Sequence, residues 1–255
     1  MRVNLFEIGP IKVHSYGLLI GIGILAAFYM AEKRAGKKGL DADKIFNLGI
    51  WCAIGGLLGA KLLFFIVEFD SIMASGDILH RLADGFVVYG GIIVGILAGW
   101  LYCKRNKMPF LKYFDLVMPS IALAQGFGRI GCFLAGCCYG RETDSIFGVV
   151  FPENTPYAPS GVKLIPTQLI SSGADFLHCI ILVVFANKAK KDGQVASLYL
   201  ILYSIGRFLI EFLRNDERGS VSQLSTSQFI AIFTLAAGVA LFVFCTKKKQ
   251  KALSE

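Results

Sequence analysis

Residues 45–67 read IFNLGIWCAIGGLLGAKLLFFIV, and this stretch decides the fold. It carries a single charged side chain, Lys61, in an otherwise apolar run. A bilayer core about 30 Å thick needs about 20 helical residues, so the run is long enough to cross it. Six further apolar runs lie near 14–32, 86–103, 113–136, 168–187, 194–213 and 227–246. Those at 113–136 and 194–213 are the least apolar, because each contains an arginine. The expected fold is therefore all-α: a polytopic integral membrane protein of about seven transmembrane helices forming one domain over residues 1–255.

Composition agrees. Of the 255 residues 55% are apolar and 17% charged, and the mean hydropathy is +0.61. Soluble domains carry about 25% charged residues. The net charge of +8 raises the question of nucleic acid, but the basic residues sit in short clusters beside apolar runs and form no stripe. No nucleic-acid partner is expected. Tyr16 to Ala31 is followed, not preceded, by basic residues, which reads as a retained helix rather than a cleaved signal.

Loop charge sets the orientation. Sixteen Lys and Arg residues fall in one alternate set of loops, at 33–44, 104–112, 188–191 and 247–251. Seven fall in the other set: Arg2, Lys12, Arg81, Arg141, Lys163, Arg214 and Arg218. By the positive-inside rule the N-terminus lies outside and the C-terminus in the cytoplasm. Glycines recur at packing distance, at Gly55 and Gly59 and at Gly91, Gly95 and Gly99, a spacing that lets helices approach closely in lipid.

Among the charged residues inside the predicted spans, Lys61, Arg129, Arg207 and Glu211 stand out. A charge at bilayer depth costs at least about 2.5 kcal/mol, so each is expected to face a partner or a cavity. With alternating helix direction all four fall toward the outer leaflet. Arg207 and Glu211, four apart, share one helix face and are open to a structural reading as a buried ion pair. The excess of cations at matched depth points instead to an anionic ligand, and a lipid phosphate suits the donor fork of arginine. The segment Gln125-Gly126-Phe127-Gly128-Arg129-Ile130-Gly131-Cys132 also spells G-x-G-x-x-G. No strand or βαβ unit accompanies it, so it is not a dinucleotide motif; the glycines thin the helix where a headgroup would approach Arg129.

Gly128-Arg129-Ile130-Gly131-Cys132-Phe133, running on to Gly140, resembles the signature of the prolipoprotein diacylglyceryl transferase family. Further matches occur in order along nearly the whole chain. They are Tyr16-Gly17-Leu18, Gly59-Ala60-Lys61 (the family usually has arginine at the last position), Gly90-Gly91, Pro166-Thr167-Gln168-Leu169, and Arg207-Phe208 with Glu211-Phe212 and Arg214. The resemblance implies a multi-pass enzyme of the bacterial plasma (inner) membrane. Such an enzyme moves the diacylglyceryl group of phosphatidylglycerol to the lipobox cysteine of a prolipoprotein signal peptide, and glycerol phosphate leaves. It implies Arg129, Arg207, Glu211 and Tyr89 as catalytic candidates. Tyr16, Lys61, Gln125, Gly128, Arg129, Gly140 and Arg214 are candidates for binding substrate. Arg129 and Arg207 would stabilise the leaving phosphate, and Glu211 would orient Arg207 or relay the thiol proton. No metal or organic cofactor is required.

The chain also departs from the family pattern. Tyr89 stands where a histidine usually precedes the glycine pair, and a phenol is a poor base at neutral pH. Cys132, Ala135 and Cys137 replace two asparagines and a glutamate, and Ile170-Ser171 follow Gln168-Leu169 in place of tyrosine and glutamate. One alternative is accordingly a paralogue acting on another lipid or acceptor; another is a non-enzymatic lipid-binding or transport protein. For Cys132, Cys137 and Cys138 three readings stand: small apolar filler near a helix end, a reactive thiol tuned by Arg129, or a metal site. Against the last are the C-x-x-x-x-C-C spacing and the lack of a nearby histidine. The long segment from Tyr139 to Pro166 is expected outside the membrane, either receiving protein substrate or serving as a proline-stiffened linker.

Overall fold

A computed structural model describes residues 4–8, 11–74, 85–153, 155, 157–216, 219–221 and 223–247. Arg2, Arg81 and Arg218, with Lys248, Lys249 and Lys251 of the last basic cluster, lie outside the described residues. The described helices are α1 (Ser15–Lys37), α2 (Ala42–Val67), α3 (Phe69–Ala74), α4 (Val88–Arg105), α5 (Phe110–Ala135), α6 (Thr167–Ala186), α7 (Gln194–Glu211) and α8 (Thr226–Lys247). Three small antiparallel pairs accompany them: β1 (Asn4–Ile8) with β2 (Ile11–His14), β3 (Val149–Val150) with β4 (Lys163–Leu164), and β5 (Ser220–Val221) with β6 (Leu224–Ser225). The protein is thus all-helical apart from short hairpins. Five helices, α1, α2, α5, α6 and α8, are long and apolar enough to cross a membrane; α4 and α7 have 18 residues each. Leu25, Leu57, Ile93 and Phe233 are each more than half exposed. Leaving such side chains in water forfeits about 1.5–3 kcal/mol apiece, so these outward faces are built for lipid.

The chain divides into two compact units, Glu32–Tyr113 and Met1–Ala31 with Phe114–Glu255. In the first, Asp41 caps α2 by accepting from the Asp43 and Lys44 amides at 3.0 and 3.3 Å. Helices α2 and α4 then pack antiparallel through the glycines. A methyl group at Gly59 would collide with the Gly90 carbonyl and Val94; one at Gly55 would meet the Ala98 Cβ at 2.7 Å. Small residues here permit backbone contact that no side chain would allow. Gly59→Val is expected to destabilise the protein by about 1–3 kcal/mol through overpacking. Thermal unfolding in nanodiscs would read this as a lowered Tm. Gly21→Ala, at a position with nothing within 4 Å, should leave the Tm in place.

In the second unit, α5, α6 and α7 share a core of Met118, Ala122, Cys179, Leu182, Val195 and Tyr199. Asp115 of α5 reaches the start of α7, its carboxylate accepting from the Gly193 and Ala196 amides, each at 2.7 Å. That contact satisfies helix-end donors that would otherwise be buried unpaired. Gly238 of α8 lies against Leu200 and Ile201 of α7. The segment between α5 and α6 is packed rather than loose. Phe151, only 1% exposed, forms a small core with Ala158 and Leu164, and its ring meets that of Phe133 at 5.8 Å. His178 is buried within α6 and stacks on Tyr199 at 5.0 Å, a packing role.

Candidate active site

Helix α5 ends at Ala135, and the chain turns sharply there. Gly136 has φ +76° and Cys138 φ +64°, the left-handed region that costs a residue with a Cβ about 1–2 kcal/mol. The turn is held from outside itself. The Gln168 side chain, 1% exposed, donates to the Cys137 carbonyl, and the Thr167 hydroxyl donates to the Cys138 carbonyl, both at 2.7 Å. Beyond the turn the chain threads between two others. The Gly140 amide donates to the Ile165 carbonyl at 3.0 Å and the Arg141 amide to the Leu213 carbonyl at 2.9 Å. A Cβ on Gly140 would lie 2.7 Å from the Ile165 oxygen and 2.8 Å from that of Leu213. Glycine is required there by close approach rather than by backbone angle.

The consequence is a cluster of sulfurs beside cations. The Sγ atoms of Cys132, Cys137 and Cys138 all lie within 4.8 Å of one another. The Cys137 thiol also donates to the Cys132 carbonyl at 3.7 Å. Hydrogen bonds from Cys132 and Cys137, reinforced by the Arg214 guanidinium, hold the Cys138 thiol well below the ordinary thiol range. Hydrogen bonds to Cys132 and Cys138 push the Cys137 thiol up. The C-x-x-x-x-C-C spacing lacks the usual paired metal-ligand pattern, yet the left-handed turn brings the three sulfurs together.

Arg129 lies in α5 one turn before Cys132. The ionisable groups close enough to feel its charge include Cys132, Cys138, Asp175 and Tyr203. Among the described residues it makes no ion pair. Tyr16, in the first turn of α1, lies against Gly131 and within the electrostatic reach of Arg129 and all three cysteines. Nothing lies within 4 Å of the Cβ position of Gly128, so there is open space next to the arginine. Gln125 accepts from the Tyr199 hydroxyl at 2.9 Å, and Tyr199 stacks on Tyr203 at 5.9 Å.

Arg207 is engaged differently. Its Nη1 meets Glu211 Oε2 at 2.8 Å, and its Nη2 donates to Ser227 Oγ of α8. The ion pair read from the four-residue spacing is present. Arg214 forms a two-pronged contact with Asp216, Nε at 3.0 Å and Nη2 at 2.7 Å. Burial raises the Asp216 carboxyl above its usual range, with Arg214 opposing. Asp216 also feels Cys138 and Glu211, so it joins the sulfur cluster electrostatically to the Arg207–Glu211 pair. Tyr16, Arg129, Gly140, Glu211 and Arg214 thus fall on one connected constellation.

Lys61 and Tyr89 belong to the Glu32–Tyr113 unit. There Lys61 donates to the Gly85 carbonyl at 3.1 Å and sits 4.4 Å from the centre of the Phe86 ring. Tyr89 is in the first turn of α4, next to Gly90. Asp175, Tyr203, Asp216 and Ser227 were not singled out from sequence. Each is a single polar residue with no local pattern around it.

The family model for prolipoprotein diacylglyceryl transferase matches residues 3–244. A phosphatidylglycerol–prolipoprotein diacylglyceryl transferase of Clostridium tetani is 51% identical over 250 residues, covering 98% of this chain and 100% of that protein. The second such transferase of Clostridium perfringens is 48% identical over 256 residues, covering 100% of both chains. That of Finegoldia magna is 36% identical over 240 residues, covering 92% of each.

Proposed function

This chain belongs to the prolipoprotein diacylglyceryl transferase family, and from that premise we propose that it moves the diacylglyceryl group of phosphatidylglycerol onto the lipobox cysteine thiol of a prolipoprotein signal peptide. The observation that carries the reading is Arg129, a cation in a membrane helix with no ion-pair partner among the described residues and open space beside it at Gly128. A charge so placed calls for an anion, and the phosphate of the lipid donor supplies one.

In the reaction, the acceptor sulfur attacks the glyceryl carbon that bears the phosphate ester. A C–S bond forms, the C–O bond breaks, the thiol proton is lost to water, and glycerol phosphate leaves with an added negative charge. Arg129 binds the phosphate and stabilises that charge, which is worth most where water is excluded. Arg207 assists it, held in orientation by Glu211 and Ser227. Tyr16 flanks the headgroup; Gln125 aligns the tyrosines behind Arg129, and Gly128 leaves the headgroup room. Gly140 and Arg214 shape the rim, and the packed segment from Tyr139 to Pro166 receives the protein substrate. For Lys61 and Tyr89 the family resemblance alone supports a part in the reaction.

The seven long helices all span a bacterial plasma (inner) membrane, with the N-terminus outside and the C-terminus in the cytoplasm, as the loop charges favour. Purified protein given phosphatidylglycerol and a lipobox peptide is expected to yield a thioether-linked lipopeptide and one glycerol phosphate per product. Lipid binding without product would overturn the assignment.

A further inference from the structure

Cysteine used as apolar filler belongs in a core, as Cys103, Cys179 and Cys245 do here, each buried. Cys132, Cys137 and Cys138 are different. All three are only partly buried, as Cys52 also is, but their sulfurs alone converge within 4.8 Å, and Arg129 and Arg214 stand beside them. The backbone that brings them together is strained at Cys138 and clamped by two side chains from α6. Filler needs neither strain nor clamps, so the arrangement serves the sulfurs themselves.

We propose that Cys132, Cys137 and Cys138 hold a thiophilic divalent cation of the zinc class, and that its open fourth position takes the acceptor thiol. The second half rests on the transfer reading above. Zinc–sulfur bonds of about 2.3 Å in a tetrahedron place sulfurs about 3.8 Å apart, so a small inward movement of the three side chains closes the site. Three protein ligands with one place left open is the pattern of catalytic rather than structural zinc. Charge favours it too. Three thiolates and a divalent cation sum to one negative charge, which Arg129 balances while Arg214 is paired with Asp216.

The site supplies what the sequence lacks. A thiol that coordinates such a cation is deprotonated outright, so no histidine is needed at the place of Tyr89. The neutral acceptor thiol binds the cation as thiolate and gives its proton to water. The bound sulfur attacks the glyceryl carbon of the lipid, whose phosphate is held by Arg129, and the C–O bond breaks. Glycerol phosphate leaves as a dianion. The thioether, a neutral and weak ligand, departs and reopens the position. Overall a thiol and a lipid monoanion become a thioether, a phosphate dianion and one proton, with no redox change.

The test uses the full-length protein in nanodiscs, loaded with Zn²⁺ or, for spectroscopy, Co²⁺. One cation per chain is expected, with a thiolate-to-cobalt charge-transfer band that is lost in Cys132→Ser, Cys137→Ser and Cys138→Ser. A lipobox peptide should shift the band, and the same peptide with serine for cysteine should not. A chelator should slow product formation by wild-type protein at least tenfold, and added Zn²⁺ should restore it. That arm needs no variant to fold. Absence of the cobalt band, or undiminished transfer after chelation, overturns the proposal while leaving the transferase assignment intact. A band that ignores the peptide thiol overturns thiol activation. Cation and peptide response without any product would instead sink the transfer reading and leave the thiol-binding site standing.

Discussion

Arg129→Ala lowers the rate of diacylglyceryl transfer by about 10²–10³-fold, the loss typical when one donor to a developing oxyanion is removed. The protein should nevertheless fold. Arg129 makes no ion pair among the described residues, so removing it breaks no salt bridge. It also takes a charge out of a membrane helix, which costs at least about 2.5 kcal/mol to place there. The Tm is therefore expected to hold or rise while activity collapses. Arg129→Lys keeps the charge but not the planar fork, and an intermediate loss is expected. Steady-state transfer and thermal unfolding on the same preparations would check both statements. A fall in Tm matching the fall in rate would show that Arg129 is structural. Arg207→Ala should behave differently, because it breaks the ion pair with Glu211 and the hydrogen bond to Ser227. Breaking a buried ion pair by removing one member is destabilising.

Gly140→Ala should abolish most of the activity by another route. The added Cβ would lie 2.7 Å from one backbone carbonyl and 2.8 Å from another, and neither can swing aside as a side chain would. Overpacking of this kind costs about 1–3 kcal/mol, and the loop between Gly136 and Arg141 is the part able to move. The turn that gathers the three sulfurs then opens. At least a tenfold loss of transfer is expected, together with faster alkylation of Cys137 and Cys138 by a maleimide. Gly128→Ala is the control: with no atom within 4 Å, it should fold as wild type and react at the unaltered slow maleimide rate. Equal alkylation rates in the two variants would remove the argument.

The two glycines show how far sequence reading carries. Both belong to the same motif and look alike on the page, yet Gly140 is wedged between two strands of backbone and Gly128 borders open space. Arg207 and Glu211 were legible as a pair because the helix places residues four apart on one face, a local regularity. Ser227 and Asp216, which complete the contacts of Arg207 and Arg214, were not. They come from α8 and from the loop after α7, and a lone serine or aspartate there carries no periodic signal. The helix-packing glycines of α2 and α4 stand between these cases. Their spacing was visible, but the partner of each was decided by the antiparallel crossing.

By itself the sequence determined that the protein is helical and built of apolar membrane-type helices, and it located charged residues among them. These follow from hydropathy and helical periodicity, properties of contiguous residues. Only the tertiary structure decided which arginine is tied up in an ion pair and which makes none among the described residues, and that three cysteines at an unpromising spacing meet. Those outcomes depend on two left-handed residues at a helix end and on side chains of Thr167 and Gln168, about thirty positions along the chain. Contacts across such distances are chosen by the packing of whole helices, which no local pattern records.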